Sequence, residues 1–530
     1  MTFEFPASLA KALPSTTLGF VWMSGASLPT RVGKLRKLFA LAATALFCAC
    51  SGGGGLADVG GMSGTGISQG AVTSFGSVFV NGVEWDLTSS TTIEIDGAPA
   101  IESDLRLGMV VRITGDLAPT GTPSTAIDIV FDDAIEGPIE NDPVALSPDG
   151  LEKSFSVLGT RIIMNEETTA FDGGASFAGL RADDVVEVSG LIDDIGVVRA
   201  TRIRLVGVFP ANLDAELRGL VSDLGKNPDG SGDFSIGTIL VHYVASTDFS
   251  DLTRASLANG DFIEAKGTLR IAGDELDADE IELEIQGLGS GSIDNAEIEG
   301  FVSNFVSNGR FEVSGTLVDA SAAVFDPPGF DLTITNGARV EVEGRLENGV
   351  LIADSVEDED EAEDVKIEAA VSSVDLAGQT QTIVVLGVTI SADGKTRIED
   401  DRDENQNLSF GFGDIEAGDW LEIRGLQTGP STVLALRIKR DTPGDDVILE
   451  GPVTSLDVNA LTLSITIIDQ PIPLDLGTLY FDALEQSRTE EEFFRNPGDV
   501  MIGDIVQAKD EFADDLQILS EADEVAIEGD

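Results

Sequence analysis

Residues Leu105 to Gly115 read LRLGMVVRITG, and variants of this eleven-residue phrase return five more times. They are LRADDVVEVSG from Leu180, LANGDFIEAKG from Leu257, ITNGARVEVEG from Ile334, IEAGDWLEIRG from Ile415 and VMIGDIVQAKD from Val500. The starts lie 75, 77, 77, 81 and 85 residues apart. A period near 80 lets each copy bury a core of its own, whereas solenoid repeats run to about 20–50 residues. Six beads on a string are therefore expected, not a continuous solenoid.

The phrase itself reads as local mechanics. Its fourth position is Gly108, Gly260, Gly337, Gly418 or Gly503, with Asp184 as the exception in the second copy. Glycine there suits a turn with positive φ. Apolar residues at the seventh and ninth positions flank a polar one, as in Val186-Glu187-Val188, which is the alternation of a half-buried strand. The intervening residues Arg112, Glu187, Glu264, Glu341, Glu422 and Gln507 are expected to face solvent. Glycine at the eleventh position in five copies, with Asp510 in the sixth, is expected to end the strand.

Outward from the phrase the pattern continues. A turn leads into Ala-x-x-Ile/Val, at Ala200–Ile203, Ala278–Ile281, Ala353–Val356 and Ala435–Ile438, so phrase and sequel make a hairpin. Before the phrase come strands such as IEGPIE from Ile135 and FSVLGTRIIM from Phe155, then a polar stretch suited to a short helical turn, as at Ile101–Leu107. Each bead thus reads strand, strand, strand, short helix, strand, strand. The fold class is all-β: a tandem array of six small five- to six-stranded domains after a signal segment. Each is an OB-like barrel or a two-sheet sandwich, since both bury one face of every strand.

The expected organisation is a leader at 1–49, a Gly-rich tether at 50–66, and beads at 67–133, 134–210, 211–290, 294–356, 365–442 and 445–528. The acidic run EDEDEAED, 357–364, is expected to be an extended linker, because like charges repel.

The first bead, GTGISQGAVTSFGSVFVNGVEWDLTSSTTIEIDG from Gly64 with its phrase and AIDIVFDD from Ala126, resembles the opening repeat of bacterial exported proteins carrying domain of unknown function 5666. The G-x-V-x-x-FGS-V-x-V-NGV pattern and the L-x-x-G-M-V-V-x-V phrase together carry the resemblance, which decays in the fifth and sixth beads. It implies a β-rich cell-envelope protein and brings no reaction, cofactor or catalytic residue.

The N-terminus reads as an address. Arg31, Lys34, Arg36 and Lys37 precede the apolar run LFALAATALFCA from Leu38, too short to span a bilayer, which takes about 20 residues. Ala49 and Cys50 resemble the end of a bacterial lipobox, and SGGGG follows as a tether. Cys50 is the expected lipidation site. Ser51 after it, in place of Asp, suggests sorting to the outer membrane or cell surface. Met23 would leave a leader of ordinary length. The other cysteine is Cys48, so thiolate metal sites are excluded downstream.

Charge excludes other classes. With 32 Lys+Arg against 94 Asp+Glu the net is −62, and removing residues 1–49 leaves −66. Such a surface repels phosphate backbones, so no nucleic-acid partner is expected. The partners expected are the membrane, through the lipid, and an unidentified envelope or extracellular protein or glycan. Asp401, Asp403, Asn405 and Asn407 alternate like the start of a calcium loop, although Gln406 and Phe412 stand where Gly and a bidentate Glu belong. Calcium is the one cofactor with a candidate site. His242 reads as a packed or edge residue of a strand. No catalytic motif, P-loop or zinc spacing appears, so a non-catalytic binding or spacer scaffold is expected. A calcium-dependent adhesion module is the second reading. A hydrolase hidden in a divergent bead is the third, the sixth bead with RTEEEFFRNPGD from Arg488 being the place to look.

Overall fold

In each bead five strands close on themselves. In bead 1 the first strand, Gly64–Ser74, pairs with the second, Val78–Val80, and the second with the third, Val83–Asp86. The third runs parallel to the fifth, Ser124–Phe131, which pairs with the fourth, Val110–Leu117, and the fourth returns to the first. The ring order is therefore 1-2-3-5-4-1, a small barrel of OB type rather than a sandwich. The same ring closes in bead 2, through an isolated bridge between Ile139 and Val157, and in beads 3, 4, 5 and 6. This computed structural model describes residues 64–528, apart from 119–121, 148–149, 211–212, 285–286, 360–363, 378–380, 403–405, 445, 460–461, 495–499 and 511–521.

The phrase builds the turn into the fourth strand. Its first residue is buried in all six copies, from Leu105 to Val500, and both apolar positions are fully buried, as with Val111 and Ile113 or Leu421 and Ile423. The fourth residue has φ between 70° and 95° in every copy. In bead 2 that residue is Asp183, one position before the Asp184 assigned from sequence. Asp184 has another task, shared with Asp261, Asp419 and Asp504. Each carboxylate accepts the backbone N–H three residues earlier, at 2.7–2.9 Å, and so holds the turn closed. A short 3-10 turn precedes the phrase at Glu102–Asp104, Phe330–Leu332 and Phe412–Asp414, and a helical turn at Glu490–Phe494.

The eleventh residue does not end the strand. In five beads the fourth strand runs on past it, for example Asp184–Ile192 and Arg339–Glu347, and the register shifts at the glycine. This is a β-bulge, which coils the strand around the barrel. A Cβ at Gly344 would stand 2.1 Å from the Ile352 carbonyl oxygen, so glycine is required by close approach. In bead 6 Asp510 stands at this position, at the end of the described strand Ile505–Asp510.

The beads are not strung out. The first strand of an OB barrel is long, and the early part of one edge has no partner inside its own ring. Here that edge is covered by another bead, which removes a template for aggregation. Bead 2 pairs antiparallel with bead 3 through Glu136↔Glu216 and Ile135↔Leu217. Bead 5 pairs antiparallel with bead 6 through Lys366↔Glu450, Ile367↔Leu449 and Glu368↔Ile448. Bead 1 skips its neighbours and pairs parallel with bead 4, from Gly66↔Asn295 to Gln69↔Ile298. Three continuous sheets of 13, 14 and 12 strands result, each holding two barrels.

These pairs also pack on one another, which corrects the outward face of the phrase. Glu187, Glu264 and Glu341 are buried, and Arg112, Glu422 and Gln507 are half-buried. Period-two alternation reports which face meets the barrel interior. It does not report whether the other face meets water or another barrel. The acidic run is likewise engaged at its start. Glu357 and Asp358 end the strand Val350–Asp358, and Lys395 of bead 5 holds Glu357 and Glu359 at 2.5 and 2.9 Å.

Candidate functional sites at the bead junctions

A cleft of about 320 Å³ lies where beads 1, 2 and 5 meet. Arg106, Asp172, Arg202, Asp401, Asn407 and Arg437 line it. Its cations are already engaged. Arg202 donates to Asp172 at 2.9 Å and to Glu187 at 2.7 Å, and Arg106 lies 3.8 Å from Asp172. Arg437 donates to Glu399 at 2.7 Å. Burial pushes Glu399 up, but the Arg397 and Arg437 guanidiniums outweigh it and hold its carboxyl at about 2. These pairs neutralise the wall from within, so the cleft does not offer a free guanidinium cradle for an anion.

Of the residues singled out for calcium, Asp401 and Asn407 border this cleft, whereas Asp403 and Asn405 lie outside the described residues. The loop closes on Asp400 instead. Its carboxylate holds Arg402 at 2.8 Å, Arg440 at 2.6 Å and the Asn407 N–H at 2.8 Å, and these bonds keep it well below the usual carboxylate range despite burial. Cys50 and the leader also lie outside the described residues. His242, on the strand Ile239–Tyr243, sits between Asp233 and Glu275, the latter at 2.8 Å. Burial pulls its pKa down, and the two carboxylates more than offset that and raise it. Its strand is paired on both sides, with Asp233 and Asp277 opposite His242, so it is an interior strand residue held by carboxylates rather than an edge residue.

Carboxylates converge at three described places. Glu264, Glu282 and Glu284 form one group, served by Arg218 and Lys266 at 2.7 and 3.0 Å from Glu264. Burial still pushes Glu284 up to about 7. Glu297, Glu341 and Glu343 form the second, where Lys395 lies 3.2 Å from Glu341 and Ser68 donates to Glu297 at 2.7 Å. Burial and mutual repulsion raise both Glu297 and Glu341 well above the usual range. The third is Asp96, Asp133 and Glu216, with one oxygen from each lying within 4.8 Å of the others. Asp96 is in the turn after the strand Thr92–Ile95 of bead 1, Asp133 in the joint leading to bead 2, and Glu216 on the first strand of bead 3. Burial pushes Asp96 up to about 6, Glu216 up to about 7, and Asp133 well above its ordinary value.

Sequence reading missed this third group because its members come from three beads and share no motif. In sequence Asp133 is only the end of bead 1, at 67–133. It also missed a repeated threonine. Thr91, Thr169, Thr247, Thr396 and Thr478 each donate to a carbonyl of the fifth strand, at 2.7–2.8 Å. In the first, second, third and fifth beads the acceptor belongs to the alanine of Ala-x-x-Ile, beside the bulge. Its signal was a Thr about 31–39 residues before that alanine.

Comparison with known proteins agrees with the repeat. No curated protein matches the chain. Solved structures do match, among them one titled drosophila Unr CSD456, at 11% identity and a TM-score of 0.14, covering 42% of this chain and 97% of that one. The model of the family described as domain of unknown function (DUF5666) matches five times, at residues 69–126, 136–204, 218–282, 299–357 and 368–439. Those matches fall on beads 1 to 5 and cover more than half of the chain, which therefore belongs to the DUF5666 family.

Proposed function

We propose that the chain is a non-catalytic, exported cell-envelope protein, tethered to the outer membrane or cell surface by lipid on Cys50. It serves as a multi-barrel scaffold or spacer for an envelope or extracellular protein or glycan. One observation carries this reading. The residues that recur from bead to bead make turns, cores, bulges and ion-paired seams, and among the described residues none of them converges on a shared reactive centre. The basic segment, apolar run, cysteine and glycine-rich tether before the first barrel supply the address. No helix among the described residues is long and apolar enough to cross a membrane. A net charge of −62 favours solubility and disfavours nucleic acid.

The test is metabolic labelling with palmitate in a bacterium that processes lipoproteins. The wild-type chain should incorporate label and fractionate with outer membranes, and Cys50→Ala should lose both. Label retained by that variant would refute the anchor.

A further inference from the structure

We infer that Asp96, Asp133 and Glu216 form a binding site for a hard divalent cation, calcium foremost, which clamps beads 1, 2 and 3 together. The deciding observation is Asp133. It is only 1% exposed, and neither of its carboxylate oxygens has a hydrogen-bond partner. Buried carboxylates are ordinarily paired, hydrogen-bonded or metal-bound, because leaving one bare in low dielectric is strongly unfavourable. Here the bare oxygens face two further carboxylates.

The spacing suits the ion. Calcium takes oxygen ligands at about 2.3–2.6 Å, so two oxygens on opposite sides of it stand at most roughly 5 Å apart. One oxygen from each of the three residues meets that limit, all lying within 4.8 Å of one another. Acidic neighbours add to the negative field, Glu136 standing opposite Glu216 in the sheet.

A resident side-chain cation is the rival explanation, and the contacts argue against it. Lys266 Nζ lies 3.1 Å from Glu216 and 3.0 Å from Glu264, and donates at 3.4 Å to the Asp96 backbone carbonyl. Arg218 donates to the Asp133 backbone carbonyl at 2.6 Å and to Glu264 at 2.7 Å. Both fix the backbone around the site, yet neither reaches the Asp133 carboxylate. Lys266 thus serves Glu216 as well, and Asp133 is what sets this group apart: in the other two groups the buried members each have a partner, Glu264 in Arg218 and Lys266, Glu341 in Lys395 and Glu297 in Ser68.

The experiment uses the full exported chain, stripped with EDTA at pH 7.5 and titrated calorimetrically with calcium chloride and, separately, magnesium chloride. A saturable site of about one calcium per chain should appear over the diffuse binding expected of so acidic a surface. Asp133→Asn and Glu216→Gln should each weaken it at least tenfold, while Asp401→Asn leaves it unchanged. Circular dichroism of each variant checks that it folds, and two substitutions on different beads guard against loss of either one. Absence of any saturable calcium or magnesium binding by the wild type would overturn the site. So would unchanged affinity in both folded variants, or loss of the site in Asp401→Asn alone.

Discussion

Substituting the fourth glycine of the phrase separates strain within a bead from contact between beads. At Gly260, Gly418 and Gly503 φ is 93–95°, and an added Cβ would have no atom within 4 Å outside its own neighbourhood. Alanine there pays only for left-handed backbone, about 1–2 kcal/mol. Gly108 has the same kind of turn, with φ 77°, but it lies against bead 2. A Cβ on it would stand 2.2 Å from the Thr201 carbonyl oxygen, 2.9 Å from the carbonyl carbon and 3.1 Å from the Arg202 Cβ. These belong to a bulged strand, so they cannot swing aside as a flexible side-chain tip would. Relief means moving the beads apart, which strains the bond from the Thr201 hydroxyl to the Gly108 carbonyl, 2.6 Å, and that from the Val110 N–H to Ser189, 2.9 Å. Overpacking of this kind costs roughly 1–3 kcal/mol and a lost hydrogen bond about 1 kcal/mol. Gly108→Ala should therefore destabilise by about 3–6 kcal/mol, and Gly418→Ala by about 1–2 kcal/mol. Urea unfolding of the chain lacking residues 1–49 can report both, by fluorescence of Trp85 in bead 1 and Trp420 in bead 5. Each variant is made in a background that keeps only its own tryptophan. A shift for Gly108→Ala no larger than for Gly418→Ala would show that beads 1 and 2 do not meet in this way.

Other outcomes follow from the seams. Lys395→Met leaves Glu341, Glu357 and Glu359 without their shared cation, and breaking a well-buried pair costs about 3–5 kcal/mol. Lys395 retains some exposure, so about 2 kcal/mol is expected, read as a lowered melting temperature; a melting temperature equal to wild type would refute the seam between beads 4 and 5. Stability should also peak near pH 5 in EDTA. Glu399, held at about 2 when folded, contributes stability above its unfolded value near 4.5 that is lost as pH falls from 4.5 to 2. Glu284, raised to about 7, and Glu297 and Glu341, raised further, bind protons more readily folded than unfolded, so stability falls as pH rises from 4.5 through 7. Melting measured at pH 3, 5 and 8 checks both limbs, and a higher midpoint at pH 8 than at pH 5 would contradict the second.

Much of one bead was legible in one phrase. Its spacing gave six beads, its alternation gave the buried pairs from Val111 and Ile113 to Val506 and Ala508, and its glycine gave the positive-φ turn. These are local properties, set by backbone sterics and by the two-residue period of a strand. The eleventh glycine was harder to read. A glycine at a strand end and a glycine at a bulge look alike until the opposing carbonyl is in place.

What only the tertiary structure decided lies between strands and between beads. Barrel and sandwich bury the same residues, so closure became visible only in the parallel pairing of third and fifth strands. The pairing of bead 1 with bead 4 joins residues some 229 positions apart, as at Ser68 and Glu297, and no periodicity encodes such a partner. For the same reason Glu187, Glu264 and Glu341 read as solvent-facing although they are buried, and nothing in the sequence marked Asp133, at the end of bead 1, as lying bare against Asp96 and Glu216. Sequence alternation determines which side of a strand is apolar. The free energy of a charged side chain depends on what stands opposite it, and that is settled only when the barrels meet.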